Sequence, residues 1–149
     1  MGPGSWALPA RPVFAEIVER VLELVRRGEG EVITLDASAR DEAGAARLQA
    51  TYTEAREAEW TEFLSDCGKF TAELDHEIAI EKYTLAELGE EEQSMERLRR
   101  WHRELSVRDV FGAPSAGAAR TELIECTRRV EDFTERVFRA LDPEPSSGS

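Results

Sequence analysis

Trp60-Thr61-Glu62-Phe63-Leu64-Ser65-Asp66-Cys67-Gly68-Lys69-Phe70-Thr71-Ala72-Glu73-Leu74 is the stretch on which the reading of this chain turns. Trp60, Phe63, Cys67, Phe70 and Leu74 fall three or four residues apart, with charged residues between them. That spacing places them on one face of an α-helix. The stripe extends back through Tyr52 to Leu48 and forward to Ile78, about eight to nine turns in all. Gly44 and Gly68 each weaken this helix by about 1 kcal/mol relative to alanine. A kink or break is expected near Gly68.

Two more stripes follow. Thr84 opens the next helix as a cap, and Glu87 is placed to reach back to it in a capping box. Leu85, Leu88, Met95, Leu98, Trp101 and Leu105 then line one face. Phe111-Gly112-Ala113-Pro114 ends that helix, and Ser115 is a candidate cap for the last one. Ala119, Leu123, Cys126, Val130, Phe133, Val137 and Leu141 form its four-three alternation, and Asp142-Pro143 closes it. Three long stripes with short connections predict an antiparallel three-helix coiled-coil bundle over residues 41–141.

Upstream, the periodicity is shorter. Ser5 to Pro9 reads as a strand candidate, Pro12 to Arg27 as a helix that Gly28 and Gly30 stop, and Val32, Ile33 and Leu35 as a second strand. Residues 1–40 thus form a strand-helix-strand unit with parallel strands and a right-handed crossover. Two such strands leave most of their backbone groups unpaired, so the rest of a sheet is missing or a second chain supplies it. A homodimer is the expectation. Met1 to Ser5 and the tail 142–149 read as disordered or expression-derived.

The 149 residues suffice for one core, and 41% hydrophobic content excludes a disordered chain. No apolar run approaches the 18 or so residues needed to cross a bilayer, and no leader pattern opens the chain, so a cytoplasmic protein is expected. The net charge of −12 opposes non-specific binding to nucleic acid or anionic lipid. That charge is uneven. Residues 54–92 carry thirteen acidic and three basic side chains, whereas residues 93–114 carry three acidic and five basic ones.

Four segments resemble one family in order and spacing. They are Arg56-Glu57-Ala58-Glu59-Trp60-Thr61-Glu62-Phe63, Glu81-Lys82-Tyr83-Thr84-Leu85-Ala86-Glu87-Leu88, Leu98-Arg99-Arg100-Trp101, and Arg108-Asp109-Val110-Phe111-Gly112. Together they are similar to the N-terminal domain of the ChrB family of chromate-resistance regulators, from about Trp6 to Ala140. The resemblance implies a ferredoxin-like sheet followed by helices, with Ser5–Pro9 similar to the family's third strand. It also implies a C-terminal domain that this chain lacks, so DNA binding is expected only with parts absent here.

The basic side chains Arg97, Arg99, Arg100, Arg103 and Arg108 are the candidates for holding an oxyanion such as chromate, because guanidinium groups donate paired hydrogen bonds and stay charged. The competing reading is that they balance neighbouring glutamates in solvated ion pairs. Cys67 and Cys126 fall on apolar stripes and read as inert buried thiols without zinc or redox spacing. Glu73-Leu74-Asp75-His76 contains one Glu-x-x-His, but the second copy that a di-iron bundle site needs is absent. No metal, cofactor or catalytic set is therefore expected. The sequence reads as a non-catalytic regulatory or sensor module of chromate resistance; the alternative is a structural helical dimerisation module with no ligand.

Overall fold

The computed structural model describes residues 4–142. Its helical elements are a 3-10 turn at Pro12–Phe14, α1 at Ala15–Arg27, α2 at Glu42–Ala79, α3 at Leu85–Arg108 and α4 at Ala116–Leu141. The described residues divide into two compact units, one up to Ala46 and the other from Arg47 onward, with the boundary inside the first turns of α2.

In the first unit, Pro12 sits where the fixed φ of proline suits a first turn and its missing N–H costs nothing. α1 ends at Gly28, whose N–H donates to the Leu24 carbonyl at 3.1 Å, while the Gly30 N–H donates to Val25 at 2.9 Å. The strand-helix-strand unit is not present. Among the described residues there is no strand, and both Ser5–Pro9 and Val32–Leu35 are non-repetitive. No ferredoxin-like sheet precedes the helices. The physical reason lies in the side chains as well as the ladder: Trp6 is 91% exposed and Ile33 87% exposed, so these apolar side chains have no surface to pack against. Two short segments gain too few hydrogen bonds to offset the entropy of ordering them.

The second unit is a helical bundle. Trp60, Phe63, Cys67, Phe70 and Leu74 of α2 pack with Leu88, Met95, Leu98 and Leu105 of α3 and with Ala119, Cys126, Val130, Phe133 and Val137 of α4. Side-chain pairs set the directions. Phe63 meets Trp101 at 5.4 Å between ring centroids and Trp60 donates to Asp109, so α2 and α3 run antiparallel. Tyr83, just before α3, meets Phe133 late in α4 at 6.0 Å, so α3 and α4 also oppose. α2 continues unbroken through Gly68. Its 38 residues exceed the 24 of α3 and 26 of α4, which explains why Leu48, predicted in the stripe, is exposed.

Both turns of the bundle differ in detail from expectation. Thr84 accepts from the Glu87 N–H at 3.1 Å, but the Thr84 N–H donates to the Lys82 carbonyl and the Glu87 carboxylate goes to Lys82, so only half of the capping box forms. Ser115 occupies the cap position of α4, yet its hydroxyl donates to Glu57 of α2 instead of capping. Gly112 supplies the left-handed φ of +79° that turns α3 into α4. The tail expected over 142–149 lies, beyond Asp142, outside the described residues. Among those residues no helix is long and apolar enough to cross a membrane.

Candidate functional site

The five arginines do not converge. Arg99 and Arg103 both reach Glu96, at 3.9 and 3.4 Å. Arg108 lies against Glu59 of α2 at 3.6 Å, and its Nε is buried without a hydrogen-bond partner. Arg97 and Arg100 remain. Arg97 donates to Ser94 Oγ at 3.1 Å, and neither guanidinium has an ion pair among the described residues. Three residues apart on α3, both line an open groove of about 500 Å³ with Glu90, Gln93, Ser94 and Glu96. Arg108 is eleven residues beyond Arg97, about 16 Å along the helix, too far to share one small anion with it.

At the Gly112 end, α2 is tied to the α3–α4 turn by a polar set. The Trp60 indole N–H donates to Asp109 Oδ2 at 3.0 Å, and the same carboxylate accepts the Ala113 N–H at 2.8 Å. Tyr52 donates to the Arg108 carbonyl at 2.7 Å, and Glu57 accepts the Ser115 N–H at 2.9 Å. Arg56 pairs with Glu59 at 2.8 Å and stacks over Tyr52. His102 lies 5.2 Å from the Trp60 ring, and burial, aided by Arg120, holds its pKa below the usual imidazole range.

The opposite end carries a cluster that the sequence reading missed. Glu77 from the end of α2 and Glu87 and Glu91 from the start of α3 bring carboxylate oxygens within 4.8 Å of one another. Glu91 is only 5% exposed, and Oε2 of both Glu77 and Glu91 is buried with no hydrogen-bond partner. Lys82 binds Glu87 Oε1 at 2.5 Å and pulls that carboxyl below its ordinary pKa. Burial first, then the neighbouring carboxylates, push Glu77 and Glu91 up to about 7. Among the described residues these three are the group whose potential ligand atoms lie close enough together to share one cation. Glu73 and His76, the lone Glu-x-x-His, are both exposed and stand outside this cluster.

Cys67 and Cys126 face each other across α2 and α4, both fully buried and free. Hydrogen bonding to Cys126 and burial push the Cys67 thiol up, which disfavours the nucleophilic thiolate. Nothing about them builds an active site.

The family model described as "Protein ChrB, N-terminal" matches residues 1–144, nearly the whole chain. The chain belongs to the ChrB N-terminal family. No curated protein and no solved structure matched it. The four segments that resemble ChrB sequences acquire a structural meaning here. Glu57, Glu59 and Trp60 meet Ser115, Arg108 and Asp109 at one end of the bundle, and Tyr83 to Glu87 form the turn at the other. Leu98 and Trp101 from the Leu-Arg-Arg-Trp segment belong to the core packing, while its two arginines point outward. Much of the ChrB-like pattern therefore specifies how three helices are clamped together.

Proposed function

We propose that this chain is a non-catalytic regulatory module of chromate resistance that binds a tetrahedral oxyanion dianion at Arg97 and Arg100. Membership of the ChrB N-terminal family supports the chromate setting. The observation that carries the binding site is that two guanidinium groups one turn apart keep their donors unclaimed by carboxylates, while the other three arginines of the run are committed to Glu96 or Glu59. Charge-assisted bonds from both could hold one dianion, each contributing about 1.5–3 kcal/mol if sheltered and much less in an open groove. Binding is consequently weak and sensitive to salt, because exposed charges are screened over about 8 Å at physiological ionic strength. Titration calorimetry with chromate and with sulfate at low salt tests this. Binding that is lost in Arg97→Gln/Arg100→Gln and kept in Arg108→Gln supports the site; parent protein that takes up neither anion refutes it.

A second reading has its own observation. Ile17, Val21 and Leu24 lie on one side of α1 and are 44%, 49% and 59% exposed, an apolar helix face of the kind that docks on another helix. In that reading the chain is a homodimerisation module without a ligand. Sedimentation giving only a 16.7 kDa species at micromolar concentration excludes it.

A further inference from the structure

Three carboxylates from two helices meet where α2 turns into α3, and one of them is almost completely withdrawn from water. We propose that Glu77, Glu87 and Glu91 form a binding site for a hard divalent cation of the Mg²⁺/Mn²⁺ class.

Charged side chains are rarely buried unless paired, because desolvating a carboxylate costs several kcal/mol unless an opposite charge or donors offset it. Glu91 has neither on Oε2; Oε2 of Glu77 also lacks a hydrogen-bond partner, although the Glu77 carboxyl meets Glu87 and feels the Lys82 charge. The one cation in contact, Lys82, is on Glu87 Oε1, and the Glu87 carboxylate also meets the Glu77 carboxyl, an oxygen pair that a bound metal would bridge. With all three carboxyls ionised, they and the Lys82 ammonium carry a local charge of −2, the charge that a divalent ion neutralises. The separations also fit: oxygens on opposite sides of an ion at bond lengths of about 2.0–2.4 Å lie roughly 4–5 Å apart, and the three ligand atoms lie within 4.8 Å of one another.

The donor set selects the class of metal. All three ligands are oxygens, and no histidine or cysteine stands among them, which disfavours zinc and copper and suits Mg²⁺, Mn²⁺ or Ca²⁺. Glu87 and Glu91 are four residues apart on α3, so their side chains lie over successive turns of one face, and Glu77 closes the set from α2. Waters complete the shell on the side of Glu87, which is more exposed than Glu91. An ion there would join the end of one helix to the start of the next.

The test is Mn²⁺ titration of the full chain followed by electron paramagnetic resonance, which separates free from bound ion, alongside thermal melts with and without Mn²⁺. Parent protein should bind one Mn²⁺ and melt at a higher temperature in its presence. Glu91→Gln and Glu77→Gln, which keep side-chain shape while removing the buried charge, should each weaken binding at least tenfold and abolish the shift in melting temperature. Glu90→Gln, an exposed neighbour, should change neither. Absence of binding to the parent overturns the proposal. So does binding that survives Glu91→Gln and Glu77→Gln, since that would mark loose association with the acidic surface.

Discussion

Asp109→Ala should unclamp one end of the bundle. Its carboxylate accepts the indole N–H of Trp60, a side chain only 1% exposed, and the N–H of Ala113, which is 5% exposed. Removing the acceptor leaves a buried indole donor unsatisfied, at about 1–3 kcal/mol, and deprives the α3–α4 turn of a charged hydrogen bond worth about 1 kcal/mol after water replaces it. The total is about 2–4 kcal/mol. For a cooperative unit of about 100 residues that corresponds to a fall in melting temperature of roughly 10–20 °C. Circular dichroism at 222 nm follows it directly. Asp109→Asn keeps one acceptor and should cost about half as much. A double-mutant cycle with Trp60→Phe isolates the Trp60–Asp109 pair, for which a coupling of about 1–2 kcal/mol is expected. If the two substitutions add within about 0.5 kcal/mol, the carboxylate does not hold the indole and the clamp is refuted.

Other consequences can be measured separately. Phe133→Ala should cost about 3–5 kcal/mol, since the ring is fully buried, whereas Leu123→Ala, at the partly buried edge of the core, should fall toward 2 kcal/mol; equal melting temperatures for parent and both variants would contradict the packing. Cys67 and Cys126 should resist a thiol reagent in the folded protein and react fully in guanidinium chloride; rapid labelling of the native chain would show that the core opens. His102 gives a pH dependence of known sign. Its folded pKa lies below the unfolded value of about 6.5, so the folded state binds fewer protons; its penalty is absent above pH 6.5 and grows as pH falls through the folded pKa. Chemical denaturation across that window should therefore show His102→Gln losing less stability on acidification than the parent, and parallel curves would count against it.

The three stripes were legible because burying a helix face demands a regular spacing, and Trp60 to Leu74 display that spacing with little interruption. The N-terminal segments were misread for a reason of the same kind. Val32, Ile33 and Leu35 have strand-forming side chains, but β-propensity reflects fit to a neighbouring pleated surface, and among the described residues there is none. Local preference named a conformation that tertiary context did not supply. The arginine run was visible as composition, yet charge density alone could not tell which cations the glutamates claim. Glu96 takes Arg99 and Arg103 because they lie three and seven residues along α3, and Glu59 takes Arg108 from another helix.

The carboxylate cluster left a trace in the sequence that is easiest to see once the core is known. On α3 the stripe passes from Leu88 to Met95, a gap of seven residues that leaves one inward position between them, and Glu91 fills it. On α2 the stripe runs 60, 63, 67, 70, 74, and its next inward step falls on Glu77 or Ile78. A charged residue at a stripe position costs stability wherever it is unpaired, so packing alone does not account for two of them meeting at the same turn. An acidic stretch of thirteen carboxylates hid this, because composition weights every glutamate alike. Position relative to the stripe separates them: Glu73 and Glu90 face water, whereas Glu77 and Glu91 turn toward the bundle. The end of the bundle opposite the Trp60–Asp109 clamp thus gathers three carboxyls around one ammonium, and a bound cation would tie them into a second clamp.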